Sequence, residues 1–345
     1  MDIVISGIGI VAPCDLKPLV NGPVPARTDW PEITLIDVPE GAPEIASECA
    51  DFVLANEVPT KYPFIDRCSA LAIGAASRAL KDAGLSIERT RSETIGLCFG
   101  TTWGCLDAMR VFYEKIKEGK PQVASPLPFS HSFANSPSSL LAIEFGLRGF
   151  AATYSEGHTA GIAALISAIN AISACTADRI LVVASDAISH GSFHHYWAEN
   201  RLAADTAAKQ TGKGFVLGEG AAALVLESTA ALVARGGHSR GGLRGWSCGA
   251  NFSQAWKNSG AVAAKVIFLN APETPAIDAE EAGFVSKVGG ADQRSIKAAA
   301  GHAMSASALT AVALAAQTSG ADSLVAAADE LTGAFLIQVA GGPQK

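Results

Sequence analysis

The feature that most restricts the fold of this chain is a pattern that occurs twice. Gly157-His158-Thr159-Ala160 opens one long Ala-rich segment, and Gly301-His302-Ala303-Met304 opens another. Each leads into a short apolar run, at residues 179–185 and 323–328 respectively. Ala and Ser dominate both segments, as in Ile162-Ala163-Ala164-Leu165 and Ala306-Ser307-Ala308-Leu309. A helix with small residues all the way round has no face to give to water and must be enclosed by close neighbours. Two such helices predict a duplicated unit whose helical layer is held between two sheets. The alternative is two core helices that are alike by coincidence.

The rest of the chain keeps the same alternation. Apolar, β-branched runs predict strands at residues 2–9, 94–100, 179–185, 221–227, 265–270, 323–328 and 334–339. They are apolar almost throughout, as strands covered on both faces are. Helical patterns cover residues 66–83, 105–118, 136–145, 158–174 and 302–319. The order predicts a layered α/β fold. Residues 15–55 are rich in Pro and acidic side chains and read as an irregular peripheral segment. Residues 236–259, rich in Gly, Ser and Trp and without a clear period, read as an irregular link. The expected organisation is therefore two halves, 1–235 and 236–345, packed as one compact unit.

Composition removes several function classes. Hydrophobic residues make up 49% of the chain and charged ones 17%, which implies a large buried interior and room for a buried subunit interface. A net charge of -7 without a Lys/Arg cluster argues against nucleic-acid binding. The seven cysteines are odd in number, scattered and free of CxxC pairs, as expected for reduced, mostly buried thiols of a cytoplasmic protein. The Met1-Asp2-Ile3-Val4-Ile5 start has no basic n-region, so no signal peptide is expected. No apolar run is long enough to span a bilayer. His190, His194 and His195 cluster without carboxylates or thiols at ligand spacing and read as surface or lid residues. No metal or cofactor is expected.

Several motifs resemble the β-ketoacyl synthases of fatty acid and polyketide synthesis. Val4-Ile5-Ser6-Gly7-Ile8-Gly9 is similar to their first strand and turn. Lys213-Gly214-Phe215-Val216-Leu217-Gly218-Glu219-Gly220-Ala221 is close to their Gly-Phe-Val-x-Gly-Glu-Gly-Ala segment. Ser295-Ile296-Lys297-Ala298-Ala299-Ala300-Gly301-His302 resembles the segment that carries the family's lysine and second histidine. Phe133-Ala134-Asn135 and Gly149 fit the approach to the nucleophile. The resemblance implies the thiolase-like αβαβα layered sandwich with internal duplication.

The family's chemistry needs a cysteine at a helix N-terminus, where the dipole favours the thiolate that takes up the acyl chain. It also needs two basic side chains for malonyl decarboxylation and backbone N–H groups as an oxyanion hole. At each of these points this sequence departs. Against Thr-x-Ser-x-x-Cys-x-x-Gly it reads Thr153-Tyr154-Ser155-Glu156-Gly157-His158-Thr159-Ala160-Gly161, with His158 in the cysteine position. Against Asn-Ala-His-Gly-Thr it reads Asn270-Ala271-Pro272-Glu273-Thr274, with Pro272 in place of the first histidine. The C-terminal Gly-Phe-Gly-Gly turn is missing, and Thr332-Gly333-Ala334-Phe335 stands near that point. Lys297 and His302 remain.

Lost chemistry on a kept scaffold resembles the chain-length factor, the β subunit of type II polyketide synthases. That implies a heterodimer with an active ketosynthase, contact with acyl carrier protein through the complex, and no activity of this chain alone. Its compactness resembles factors of Gram-negative aryl-polyene or aromatic polyketide clusters. His158, Pro272, Lys297 and His302 then form a degenerate site: His158 fills the space a cysteine left, and Lys297 and His302 belong to a hydrogen-bond network. Glu219 is expected to be structural and to face Lys297.

The resemblance places the 105–118 helix along the interface tunnel, with Leu106, Met109, Phe112 and Tyr113 as lining candidates and Asn135, Thr153 and Ser155 near the two-fold axis. The same side chains at helical spacing also fit an ordinary core stripe. The competing functions are a malonyl-carrier decarboxylase or unusual acyltransferase using His158 with His302, and a homodimeric protein that binds acyl chains without transferring them.

Overall fold

The computed structural model describes residues 2–59, 62, 64–85, 95–210, 212–270 and 274–342. Pro272 lies outside them. The strands are β1 (Ile3–Val11), β2 (Ile95–Gly100), β3 (Ala151–Tyr154), β4 (Arg179–Asp186), β5 (Gly220–Ser228), β6 (Gly241–Gly249), β7 (Val266–Asn270), β8 (Asp292–Ser295), β9 (Asp322–Asp329) and β10 (Gly333–Gly341). Their order is β3-β2-β4-β5-β1-β6-β10-β9-β7-β8. Read outward from the β1–β6 junction, each half repeats the other with strand numbers offset by five. In the first half β3, β2 and β4 are parallel, and β5 and β1 follow antiparallel. In the second half β8, β7 and β9 are parallel, and β10 and β6 follow antiparallel. β1 meets β6 only through Ile3–Ile5, so the sheet is nearly cut there. The doubled Gly-His pattern is the trace of this duplication.

The principal helices are α1 (Arg67–Asp82), α2 (Leu106–Lys117), α3 (Ser136–Phe145), α4 (Ala160–Ser173), α5 (His190–Ala198), α6 (Phe252–Asn258), α7 (Pro275–Val288) and α8 (Met304–Gln317). α4 and α8 follow β3 and β8, equivalent strands of the two halves. They share one core with Val182 and Leu224 from the first half-sheet and Phe268, Val325 and Ile337 from the second. The outer face of the first half-sheet, with Leu97, Phe99 and Val183, is covered by α1 and α3. Phe252 of α6 and Phe284 of α7 cover the outer face of the second. The layers therefore run α, β, α, β, α.

Every residue of α8 from Met304 to Ala316 is buried. Small residues are required because neighbours come close: a Cβ on Gly161 would lie 2.6 Å from the Ser305 carbonyl and 2.9 Å from Ala184 Cβ. Enlarging α8 alanines would cost about 1–3 kcal/mol through overpacking.

Two expectations need correction. Residues 236–259 are not an irregular link but hold β6 and all of α6. Glycines at 241, 242, 245 and 249 hide this strand from a search for apolar alternation, and Gly241 is needed because a Cβ would press on Ala316 at 3.0 Å. The predicted start of the 158–174 helix is a separate 3-10 turn, Gly157–Thr159, leading into α4. Residues 15–55 are largely irregular, with a short helix at Pro18–Asn21 and the start of a 3-10 turn at Leu54–Asn56.

Candidate functional site

His158 sits on the 3-10 turn between β3 and α4 and is buried. Gly157 makes the turn possible with φ +79, a left-handed conformation that glycine adopts freely. His302 follows Gly301, whose φ is +70 and whose missing side chain leaves room for Ser47 and the Val216 carbonyl. The His302 N–H donates to Val216 O at 2.9 Å, and Gly218 N–H donates to His302 O at 3.0 Å. The Gly-Phe-Val-x-Gly segment thus acts as a splint that fixes His302. Met304, two residues on, has φ +50, an uncommon backbone state that marks local strain at the start of α8.

The two helix-opening histidines from the two halves meet. His302 Nε2 and His158 Nδ1 are 2.7 Å apart, with the rings stacked at 4.8 Å between centroids. His158 Nε2 lies 3.2 Å from Tyr196 Oη, which accepts from Trp103 Nε1 at 3.3 Å. These contacts fix the protons. Tyr196 already accepts from the indole, so its O–H is best used toward His158 Nε2. His158 Nδ1–H then donates to His302 Nε2, leaving His302 Nδ1–H as the unpaired atom. Reversing the direction would strand two groups instead of one. Burial lowers the His158 pKa to about 4 and pushes that of His302 well below its ordinary value, with the positive charge on Lys297 adding to both effects. Both imidazoles are neutral at pH 7.

A carboxylate completes the turn. The His158 backbone N–H donates to Asp329 Oδ2 at 2.9 Å, and Leu331 N–H donates to Asp329 Oδ1 at 2.8 Å. The β9–β10 connection is further tied down by Thr332 Oγ1 and Thr159 Oγ1 at 2.6 Å. The residues beside His158 are thus 329–332, and Gly333 onward already belongs to β10. Asp186, buried by β4, accepts from Thr101 Oγ1, Thr102 N, Trp103 N and Ser305 N, pinning the loop after β2 to the start of α8. A cavity of about 370 Å³ opens above His158, lined among others by Trp103, His195, Arg201, Asp329 and Leu331. Lys297 is buried and lines a larger neighbouring cavity of about 900 Å³ with Arg201 and Thr274.

Glu219 does not face Lys297; it is fully buried against Arg67, whose Nε lies 2.9 Å from Oε2, and it accepts the Cys49 N–H at 2.8 Å. Tyr196, Trp103, Asp186 and Asp329 were not singled out from the sequence. The one local signal was the aromatic spacing of Phe193, Tyr196 and Trp197 behind the Ser189 capping box. His190 pairs with Asp107 at 3.2 Å, and His195 packs on Trp103 at 4.8 Å. Among the described residues no group of three or more His, Cys, Asp or Glu is arranged to hold a metal ion.

The lining candidates on α2 lie apart from this pair. Met109 and Tyr113 are exposed, Phe112 packs at a tilt against Phe129 with ring centroids 4.9 Å apart, and Leu106 abuts Gly191 of α5. Asn135 and Ser155 are exposed and Thr153 is half-buried on β3, the outermost strand of the first half.

Residues 34–231 match the family described as beta-ketoacyl synthase, N-terminal domain. The chain belongs to the β-ketoacyl synthase family. It is 31% identical to the tetracenomycin polyketide synthase ketoacyl synthase alpha subunit of Streptomyces glaucescens over 72% of this chain and 63% of that one. It is 26% identical to 3-oxoacyl-[acyl-carrier-protein] synthase 2 of Staphylococcus aureus over 68% of this chain and 59% of that one. The matched region thus spans about three fifths of these relatives' length. The fold matches the solved ishigamide ketosynthase/chain length factor with a TM-score of 0.83 at 20% identity, covering 99% of both chains. It also matches a type II polyketide synthase acyl-carrier protein complex with its ketosynthase bound to the hexaketide, at a TM-score of 0.77 and 16% identity over 99% of each chain. Within this thiolase-like ketosynthase scaffold, His158 stands on the turn that leads from β3 into α4. Among the described residues no helix is long and apolar enough to cross a membrane.

Proposed function

We propose that this protein is a chain-length-factor-type subunit, without condensing activity of its own, that pairs in the cytoplasm with an active ketosynthase and shapes the acyl cavity at their interface. The observation that carries this reading is the His158–His302 pair. An acyl carrier must offer a nucleophile that forms a stable thioester or ester. Here a neutral imidazole occupies that place, with both ring nitrogens within hydrogen-bonding distance of Tyr196 and His302. Acyl-imidazoles also hydrolyse readily.

The exposed surface supports a partner. Met109, Tyr113, Phe129, Phe133 and Ile143 are all exposed around α2 and α3. Phe112, Phe129 and Phe133 form a ladder with centroids 4.9 and 5.4 Å apart. β3 offers an outer sheet edge beside them. Contiguous apolar surface of this kind marks a binding face, and an obligate interface of about 2,000 Å² or more would cover it.

The test has two arms. Co-expressed with the ketosynthase encoded beside it, the chain should purify as a stable heterodimer. Incubated alone with acyl carrier protein bearing a labelled acyl group, it should show no acyl adduct by intact mass. A stoichiometric adduct, or a stable monodisperse monomer, overturns the proposal. Carbon dioxide released from malonyl carrier protein, and abolished by His158→Ala, would establish decarboxylation instead.

A further inference from the structure

The geometry points to Asp329 as a built-in occupant of the anion position at the N-terminus of α4, so that the cavity above His158 refuses anionic groups at that end. The N-terminal N–H groups of a buried helix attract negative charge, and an unoccupied set of them binds carboxylate, phosphate or a developing oxyanion. Here the N–H of His158, on the 3-10 turn that leads into α4, already holds a carboxylate at 2.9 Å.

The arrangement is built from both sides. Asp329 is itself buried, and its second oxygen is fixed by the Leu331 N–H at 2.8 Å. Gly157 is shaped to receive it: a Cβ there would stand 2.4 Å from Asp329 Oδ2, so only glycine leaves the carboxylate its seat. The Thr159–Thr332 contact clamps the same connection a second time. Asp329 also lines the cavity, so its charge faces whatever enters. The neighbouring imidazoles do not offset this charge, since burial keeps both neutral. A second negative charge within about 4 Å of the first would be repelled, the more so as burial lowers the local dielectric. A group seated directly against Asp329 must therefore be uncharged, as the body of an acyl chain is. A malonyl carboxylate or an enolate would be turned away from that end, and Arg201 on the same cavity wall is the one place in it where an anion would find a cation. This inference concerns this chain's own residues and stands or falls separately from heterodimer formation.

Asp329→Ala should uncover the anion position and leave a hole about the size of formate. The measurement is the melting temperature of the full-length chain, in the form in which it purifies, alone or in its heterodimer, in sodium formate, in sodium chloride at equal ionic strength, and in formamide, which matches formate in shape but carries no charge. Formate should raise the variant's melting temperature saturably, on the order of 2 °C above chloride. Formamide should not, and the wild type should respond to neither. Formate acting no better than chloride on the variant would overturn the inference, as would equal rescue by formamide. If Asp329→Ala does not fold in chloride, refolding yield in the three solutes gives the same comparison. A yield that does not favour formate counts equally against it.

Discussion

The surroundings of the His158–His302 pair and the outer face of α2 and α3 obey opposite rules. Around the histidines polar groups are held: the pair itself, Tyr196, Trp103, Asp186 and Asp329 hydrogen-bond between segments far apart in sequence, and Glu219 is bridged to Arg67. On the outer face apolar groups are exposed and loosely supported, with Ala108 the one buried residue of α2. A buried polar network fixes geometry, because each unmade bond costs about 1–3 kcal/mol. An exposed apolar face contributes nothing to the isolated chain and gains value only when covered. The contrast teaches that geometry is fixed where polar groups are buried, while the surface is where association can act.

The contrast can be broken most forcefully at Arg67. Arg67→Met leaves the Glu219 carboxylate, fully buried, without its counter-charge. The expected loss is about 3 kcal/mol of unfolding free energy, read from urea or guanidinium midpoints. A loss under about 1 kcal/mol would show that the bridge is incidental to the splint it anchors.

A smaller effect should appear with pH. The folded pKa of His158 is lowered to about 4 from an ordinary value of 6.5, so the unfolded chain binds the proton more readily. Its contribution is fully present above about pH 6.5 and is lost as pH falls toward 4, on the order of 3 kcal/mol. Asp66 runs the other way, because burial raises its pKa to about 6. Its share is present at low pH and lost as pH rises through about 6. The difference between wild type and His158→Gln isolates the histidine. That difference should shrink steadily from pH 6.5 to pH 4, and equal pH profiles for the two proteins would contradict the buried neutral pair.

The least disruptive changes are those on the outer face. Met109→Ala and Phe112→Ala should alter the stability of the isolated chain by about 0.5–1 kcal/mol or less, as little is buried there. In the reconstituted pair, by contrast, they should lengthen the product by roughly one or two two-carbon units, provided the space stays open. Product masses unchanged at normal turnover would show that this face binds the partner without measuring the chain.

Much of the layered fold was legible because its central elements carry one-dimensional signals. β4, β5 and β9 are apolar nearly throughout, and α4 and α8 are small-residue helices that only enclosure can explain. β3, β6 and β8 were not legible by pattern. β3 and β8 are four residues long, and β6 trades side chains for the close approach that glycine permits. At the site, His158, Lys297 and His302 could be named because they stand in recognisable motifs. Asp329 and Tyr196 could not, since their roles arise from contacts across 171 and 38 residues of sequence.

By itself, then, the sequence determined the duplication, the layer order and the two Gly-His pairs that open the small-residue helices. Each is written in a local pattern whose physical meaning does not depend on distant residues. Only the tertiary structure decided that the two helix-opening histidines touch, that Glu219 answers to Arg67 rather than Lys297, and that Asp329 fills the helix terminus. Those facts depend on how two half-sheets close on a shared helical layer, and the direction of a side chain across that closure has no signature along the chain.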